Sequence, residues 1–293
     1  VRTVRETSHS PLVLELADDR EGAHARVELS PSRGGMATRF RVGDRDLFYM
    51  DAATLADPTK NVRGGNPVLF PSPGKLDGDT WTYAGQSGRL DQHGFGRKLP
   101  WRVVATSNDK NLATASFTLE SSDATRALWP WEFAVTLTYS LAGTTLRIMQ
   151  WVQNRSDDPM PFGIGFHPYF LVKDKRGARI PTAATRAFDN VAKQEVPFAG
   201  FDLTQPEVDL HLIDHGSTEA ALHFGEVDGG GKIILRGAPE LSRWVVWTVA
   251  GKDYVCLEPW SCPANALNTG EGLLVLEMGE ARVIALEVEL SSA

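Results

Sequence analysis

Apolar and polar positions along this chain alternate mainly with a period of two. In Phe133-Ala-Val-Thr-Leu-Thr-Tyr-Ser-Leu141 the residues Phe133, Val135, Leu137, Tyr139 and Leu141 share one face, and Ala134, Thr136, Thr138 and Ser140 share the other. That pattern predicts a strand with one buried side. Near the C-terminus Ile284, Leu286, Val288 and Leu290 point in, while Glu287 and Glu289 point out. Ala115–Glu120 and Ser242–Val249 have the same strand character. Phe40–Tyr49 predicts a hairpin, with Gly43-Asp44 as its two-residue turn.

No stretch keeps a 3.6-residue period free of Gly and Pro. The 27 glycines and 17 prolines interrupt too often for long helices, and only Ala52–Ala56 reads as a short one. The run Asp228–Gly231 reads as a hairpin tip. Many short strands, with no internal repeat, linker or composition break, predict an all-β protein: one large antiparallel β-sandwich domain over residues 1–293.

Composition narrows the function classes. A hydrophobic share of 42% and a charged share of 23% belong to an ordinary globular chain and exclude the disordered classes. A net charge of −7 leaves no basic surplus for nucleic acid. A small anionic ligand remains open, since it needs only a few local arginines. Cys256 and Cys262 are too few for a secreted disulfide framework and read as reduced thiols. No apolar run is long enough for a membrane helix, and Val1-Arg-Thr-Val-Arg lacks an apolar signal core. A soluble, cytoplasmic protein with no membrane partner is expected.

Three regions break the strand pattern. They are Arg63–Leu76 with the later Asp91-Gln-His-Gly-Phe-Gly-Arg97, then Gly163–Phe170, then Cys256–Gly270. Each sets an ionisable residue in an apolar stretch rich in Pro or Gly: His93 before Gly94-Phe95, His167 between Phe166 and Pro168, Glu258 between Leu257 and Pro259. Polar groups in such settings are hydrogen-bonded or functional. Taken singly, each also reads as a core or strand-end residue. Together, a glutamate raised by burial and a histidine make a competent acid–base pair near neutral pH. Trp81, Trp101, Trp247 and Trp260 offer apolar faces for a sugar ring, or plain core packing. The short-spaced metal motifs, the GxSxG elbow and the phosphate-binding glycine loops are all missing, so neither metal nor cofactor is expected.

These segments resemble the aldose 1-epimerase (galactose mutarotase) superfamily over most of the chain, from about Ser32-Arg-Gly-Gly-Met36 to Leu290. The pieces that carry the resemblance are Gly64-Gly-Asn-Pro-Val-Leu-Phe-Pro71, His93-Gly-Phe-Gly-Arg97, Gly165-Phe-His-Pro-Tyr-Phe170, Leu257-Glu-Pro-Trp260 and Ala266-Leu-Asn-Thr-Gly-Glu-Gly272. The resemblance implies a galactose mutarotase-like supersandwich with an open groove on a concave sheet. It also implies roles: His167 as general acid, Glu258 as general base, and His93 bonding near the reacting centre. Asp209 is the best match to the aspartate that grips sugar hydroxyls, with Asp189 as runner-up. Arg63, Gln92 and Arg97 match the hexose-6-phosphate branch. Phe70-Pro-Ser-Pro-Gly-Lys75 departs from it, because phosphate-using relatives tend to carry Trp-Pro-Trp-Phe there; Lys75 either adds positive charge or is merely solvated.

The expected activity is interconversion of the α and β anomers of a hexose by acid/base ring opening and closure, with no cofactor and with a sugar or sugar phosphate as the partner molecule. The alternatives are a hexose-6-phosphate 1-epimerase and, from another class, a non-catalytic carbohydrate-binding or sugar-sensing protein.

Overall fold

A computed structural model describes residues 1–9, 11–108 and 112–291, and the alternating segments in it are strands. Phe133–Ala142 lies antiparallel between Ala113–Glu120 and Thr145–Asn154. Phe133, Val135, Leu137, Tyr139 and Leu141 are fully buried, as the period of two predicts. The other face is less open than expected. Thr136 and Thr138 are half-buried, yet Ala134 and Ser140 are buried too. Both are small, and the register sets them opposite the long side chains of Gln153 and Arg147. The predicted hairpin is present, with Val42 paired to Arg45 across Gly43-Asp44. So is the short helix Ala52–Ala56, whose first turn is capped by the Asp51 carboxylate.

Three larger antiparallel sheets form the body. A five-stranded meander runs from Arg2–His9 to Arg45–Asp46. A seven-stranded sheet has Phe133–Ala142, Thr145–Asn154 and Ala281–Ser291 at its centre. An eight-stranded sheet runs from Gln194–Pro197 through Arg186–Asp189, Glu207–Leu212, Arg243–Val249, Tyr254–Trp260 and Gly165–Phe166 to Val68–Leu69, with Tyr169–Leu171 also paired to Tyr254–Trp260. One continuous apolar cluster joins them, including Leu16 and Val27 of the first, Leu137 and Ile284 of the second, and Val246 and Leu257 of the third. This is the large antiparallel sandwich that the alternation predicts.

The eight-stranded sheet positions the site. In its central strands Val208, Leu212, Trp244, Val246, Val255 and Leu257 point into the core. The intervening residues, Asp209, His211, Val245, Trp247, Glu258 and Trp260, point the other way and line a cavity. A strand that buries both faces reads in sequence as a continuous apolar run, which is why Trp244-Val-Val-Trp247 hides its pleat. The hairpin tip around Asp228–Gly231 joins Glu219–His223 to Lys232–Gly237, Cys256 and Cys262 are buried free thiols, and among the described residues no helix is long and apolar enough to cross a membrane.

Candidate active site

Strand register builds the centre of the site. Tyr254–Trp260 pairs Trp260 with Gly165 and Cys256 with Tyr169, so in the same antiparallel register His167 falls opposite Glu258. Pro168 follows His167 and interrupts the ladder there. The His167 backbone N–H instead donates to the Pro67 carbonyl on the other side. The two side chains meet on the cavity face, with Nε2 of His167 3.4 Å from Oε1 of Glu258. Across the next strand Val245 faces Glu258, and His211 faces Val245 in turn. One pleat along, Asp209, Trp247, Cys256 and Tyr169 form a parallel row.

Burial governs the charge of this pair. Glu258 is 1% exposed and His167 6%. Burial, aided by the negative charge of Asp209, pushes the Glu258 carboxyl well above the usual carboxylate range. Burial and then the Arg97 guanidinium push the His167 imidazole down to about 3. Both shifts favour a carboxylic acid beside a neutral imidazole over a buried ion pair. Two contacts work the other way on Glu258: the Trp260 Nε1–H donates to Oε2 at 3.0 Å, and Arg97 lies near enough to attract the carboxylate. The His167 ring stacks on Tyr169, with centroids 4.7 Å apart.

His93 reaches the same cavity from a loop. Its backbone N–H donates to the Gly74 carbonyl, and the Gly74 N–H donates to Nδ1 of His93 at 3.0 Å. Burial, then Arg97, holds the imidazole pKa well below its usual value, so the ring is neutral. With Nδ1 accepting, the ring proton sits on Nε2, and the edge is a fixed donor. The chain there depends on Gly94. Its φ is +66°, and a Cβ would lie 2.3 Å from the Phe70 carbonyl oxygen. Gly74, within the Phe70–Lys75 stretch, is the residue that braces His93.

Two arginines converge on the cavity. The Arg63 backbone is pinned at both ends: its N–H donates to Thr54 Oγ1, and its carbonyl accepts from the Asp51 N–H. Gly65 then passes so close to strand Met36–Val42 that a Cβ would sit 2.4 Å from the Ala37 carbonyl oxygen. The Arg63 guanidinium lies over the Trp247 ring at 5.6 Å. Arg97 donates from Nη2 to the Gln92 carbonyl at 2.9 Å, while its buried Nε has no partner among the described residues. Asp91, a conceivable partner of Arg97, is taken by Lys98. Burial draws Arg97 down to about 10, which leaves it a cation at neutral pH.

The cavity is about 760 Å³, within the range of small-ligand sites. His93, His167 and Glu258 line it, with Arg63, Gln92, Arg97 and Asp209. Asp209 accepts from Asn190 Nδ2 at 2.6 Å, and its Oδ1 is 3.3 Å from Nε2 of His211. Burial acts to raise its pKa and is outweighed by these contacts, so the carboxyl stays ionised. Asp189, the runner-up, caps a turn instead, accepting from the Val191 and Ala192 N–H groups. Trp247 and Trp260 face the cavity. Trp81 and Trp101 are core residues whose indole N–H groups donate to the carbonyls of Leu128 and Gly96. Lys75 is at the rim with its side chain 65% exposed.

Sequence reading missed His211, Asn190, Phe188 and Glu207, which also line the cavity. The signal for His211 and Glu207 was present, because each is two residues from Asp209 on one strand and so shares its face. Asn190 and Phe188 belong to a neighbouring strand and its turn, and nothing local marks them.

Such a site holds a buried carboxyl and a neutral imidazole in contact, a second imidazole as fixed donor, an ionised carboxylate, aromatic walls and two cations. It can move protons between two oxygens of a polyhydroxylated ligand.

Similarity to known proteins gives the family and the fold. The aldose 1-epimerase family model matches residues 23–288. The solved structure of protein Slr1438 from Synechocystis sp. PCC 6803 superposes with a TM-score of 0.92 at 39% identity, covering 97% of this chain and 96% of that one. A galactose mutarotase-like protein from Clostridium acetobutylicum shares the fold at a TM-score of 0.83 and 16% identity, covering 100% and 99% of the two chains. A Salmonella typhimurium protein provisionally named a glucose-6-phosphate 1-epimerase is 29% identical over 150 residues, which is 51% of this chain and 46% of that protein. The fold is thus the galactose mutarotase-like supersandwich, and the chain belongs to the aldose 1-epimerase family.

Proposed function

We propose that this protein interconverts the α and β anomers of a hexose and that its preferred substrate is a hexose 6-phosphate. The observation that carries the first part is the buried contact between His167 and Glu258 on the wall of a sugar-sized cavity. In the forward step the proton shared by the pair moves from Glu258 to His167, the Glu258 carboxylate removes the proton on O1, His167 protonates the ring oxygen O5, and the C1–O5 bond breaks to give the aldehyde. That step leaves the carboxylic acid and neutral imidazole that burial favours. Rotation about C1–C2 presents the other face of the aldehyde. On closure O5 attacks C1, His167 takes the O5 proton, and Glu258 returns a proton to O1. Each positioned group supplies roughly 10²–10⁴-fold, and orientation of the ring by Asp209, His93 and the indoles supplies the rest.

Arg97 carries the second part. Its guanidinium is half-buried, has no carboxylate partner among the described residues, and carries a buried, unpaired Nε. A half-buried cation with an unsatisfied buried N–H facing the cavity has room for an anion, and Arg63 on the same cavity wall offers a second fork for a phosphate. The relative provisionally named a glucose-6-phosphate 1-epimerase, matched over 46% of its length, supports the same reading. The test is polarimetry of freshly dissolved α-glucose, α-galactose and α-glucose 6-phosphate with and without the protein. The reading expects faster decay for all three, fastest for the phosphate. Decay at the spontaneous rate for every sugar overturns it and favours the sugar-sensing alternative.

A further inference from the structure

Beneath the acid–base pair lies a thiol that the proposed reaction does not use. Cys256 is two residues before Glu258 on the same strand and shares its face. Its side chain is fully buried and in the free thiol state. The Cys256 sulfur, a ring nitrogen of His167 and a carboxylate oxygen of Glu258 all lie within 4.8 Å of one another. All three side chains are more than nine-tenths buried, and Nε2 of His167 lies 3.4 Å from the Glu258 carboxyl. A search for ligands at short sequence spacing misses this group, because His167 joins it only across strands.

We infer that Cys256, His167 and Glu258 form a site for a borderline-soft divalent cation of the zinc class, and that filling it blocks the proton-transferring pair. One sulfur, one imidazole nitrogen and one carboxylate oxygen suit zinc and its neighbours, whereas magnesium and calcium prefer all-oxygen shells. Zinc bonds of about 2.0–2.3 Å place tetrahedral ligand atoms roughly 3.3–3.6 Å apart, so contraction by about an ångström closes the triad. Three protein donors leave a fourth position open. His167 and Glu258 both line the cavity, which is the ion's way in. Once bound, the ion occupies the lone pairs that accept and return the substrate's protons. Blocking in this sense rests on the mutarotase reading above; occupancy of the site does not.

The test uses the reduced protein and Co²⁺ as a spectroscopic probe. Binding at this triad predicts a sulfur-to-cobalt charge-transfer band in the near ultraviolet together with the visible bands of a tetrahedral ion, both displaced by Zn²⁺. Cys256→Ser removes the charge-transfer band, and Cys262→Ser, which changes the other buried thiol, keeps it. Cys256→Ala stands in should the serine variant not fold. In parallel, Zn²⁺ slows anomer exchange in the parent, and the concentration needed rises at least about tenfold in the Cys256 variant, measured against that variant's own metal-free rate, because even outer-shell changes cost metal sites ~10–100-fold. No charge-transfer band in the parent, or a band lost in Cys262→Ser and kept in Cys256→Ser, overturns the site. A band without inhibition overturns the blocking role alone.

Discussion

His167, in the break between strands Gly165–Phe166 and Tyr169–Leu171, stands opposite Glu258 of Tyr254–Trp260, with Nε2 of the imidazole 3.4 Å from Oε1 of the carboxyl. The contact comes from sheet register rather than loop placement, so each side chain can be changed with little movement of the other. His167→Asn should therefore keep sugar affinity and lose at least ~10²-fold in kcat, since the change removes a proton-transfer group and not a binding wall. Steady-state kinetics by polarimetry check this; a variant with raised KM and unchanged kcat contradicts it.

Arg97 makes a separate prediction. Glucose 6-phosphate should compete better than glucose for the cavity, and added salt should narrow the difference as it screens the guanidinium charges. Arg97→Ala should abolish the preference. Arg97→Lys should restore only part of it, because a point charge cannot form the paired bonds of a planar fork. Equal affinity of the parent for both sugars assigns the arginines a structural role and leaves free hexoses as the substrate.

Asp209 and Asp189 separate cleanly. Asp209 faces the cavity and Asp189 caps a turn. Asp209→Asn should raise KM by ~10–100-fold, the equivalent of a lost hydrogen bond to a charged group. Asp189→Asn should leave KM within twofold of the parent, about 0.4 kcal/mol. Measuring both in one assay settles the pair, and the reverse ordering contradicts the placement.

The His93 loop is testable through its backbone. Gly94→Ala adds a Cβ 2.3 Å from the Phe70 carbonyl oxygen at a φ of +66°. The strain should cost about 1–3 kcal/mol and loosen the Gly74–His93 bonds, so stability and activity fall together. Chemical denaturation shows this as a lower midpoint, and an unchanged midpoint contradicts it.

Cys262 gives a pH dependence. Burial pushes its thiol up to about 12, whereas an unfolded cysteine ionises near ~8.5. Between those values only the unfolded chain releases this proton, so stability is complete below ~8.5 and falls as pH rises toward 12. From pH ~8.5 to ~10 the loss from this group is about 2 kcal/mol. Cys262→Ser should lose less stability than the parent over that interval by about this amount, and equal losses contradict the burial effect.

How far the sequence carried varied with local physics. Strands with one polar face, such as Phe133–Ala142 and Ala281–Ser291, were legible because alternation marks them. The Gly43-Asp44 turn announced itself through turn chemistry, and Ala52–Ala56 was legible as a short helix although its Asp51 cap was not read. The N-terminal strand Arg2–His9 was not legible: it is a half-exposed edge whose charged side chains leave no apolar period. Arg243–Val249 was legible as a strand but not by face, since core and cavity both receive apolar residues. Within the site, Pro- and Gly-pinned polar residues stood out in each motif, while their meeting depends on register between strands some ninety residues apart. That is why Cys256 and His167 look unrelated in sequence and adjacent in space.

The most direct test of the central account is anomer exchange at equilibrium, read by two-dimensional exchange NMR on glucose 6-phosphate with catalytic amounts of the protein. The account predicts cross-peaks between the α and β C1 protons that the sugar alone does not give. In Glu258→Gln it predicts loss of at least ~10²-fold in exchange rate with the phosphorylated sugar still bound. Exchange at the uncatalysed rate in the parent, or parental exchange in Glu258→Gln, contradicts it.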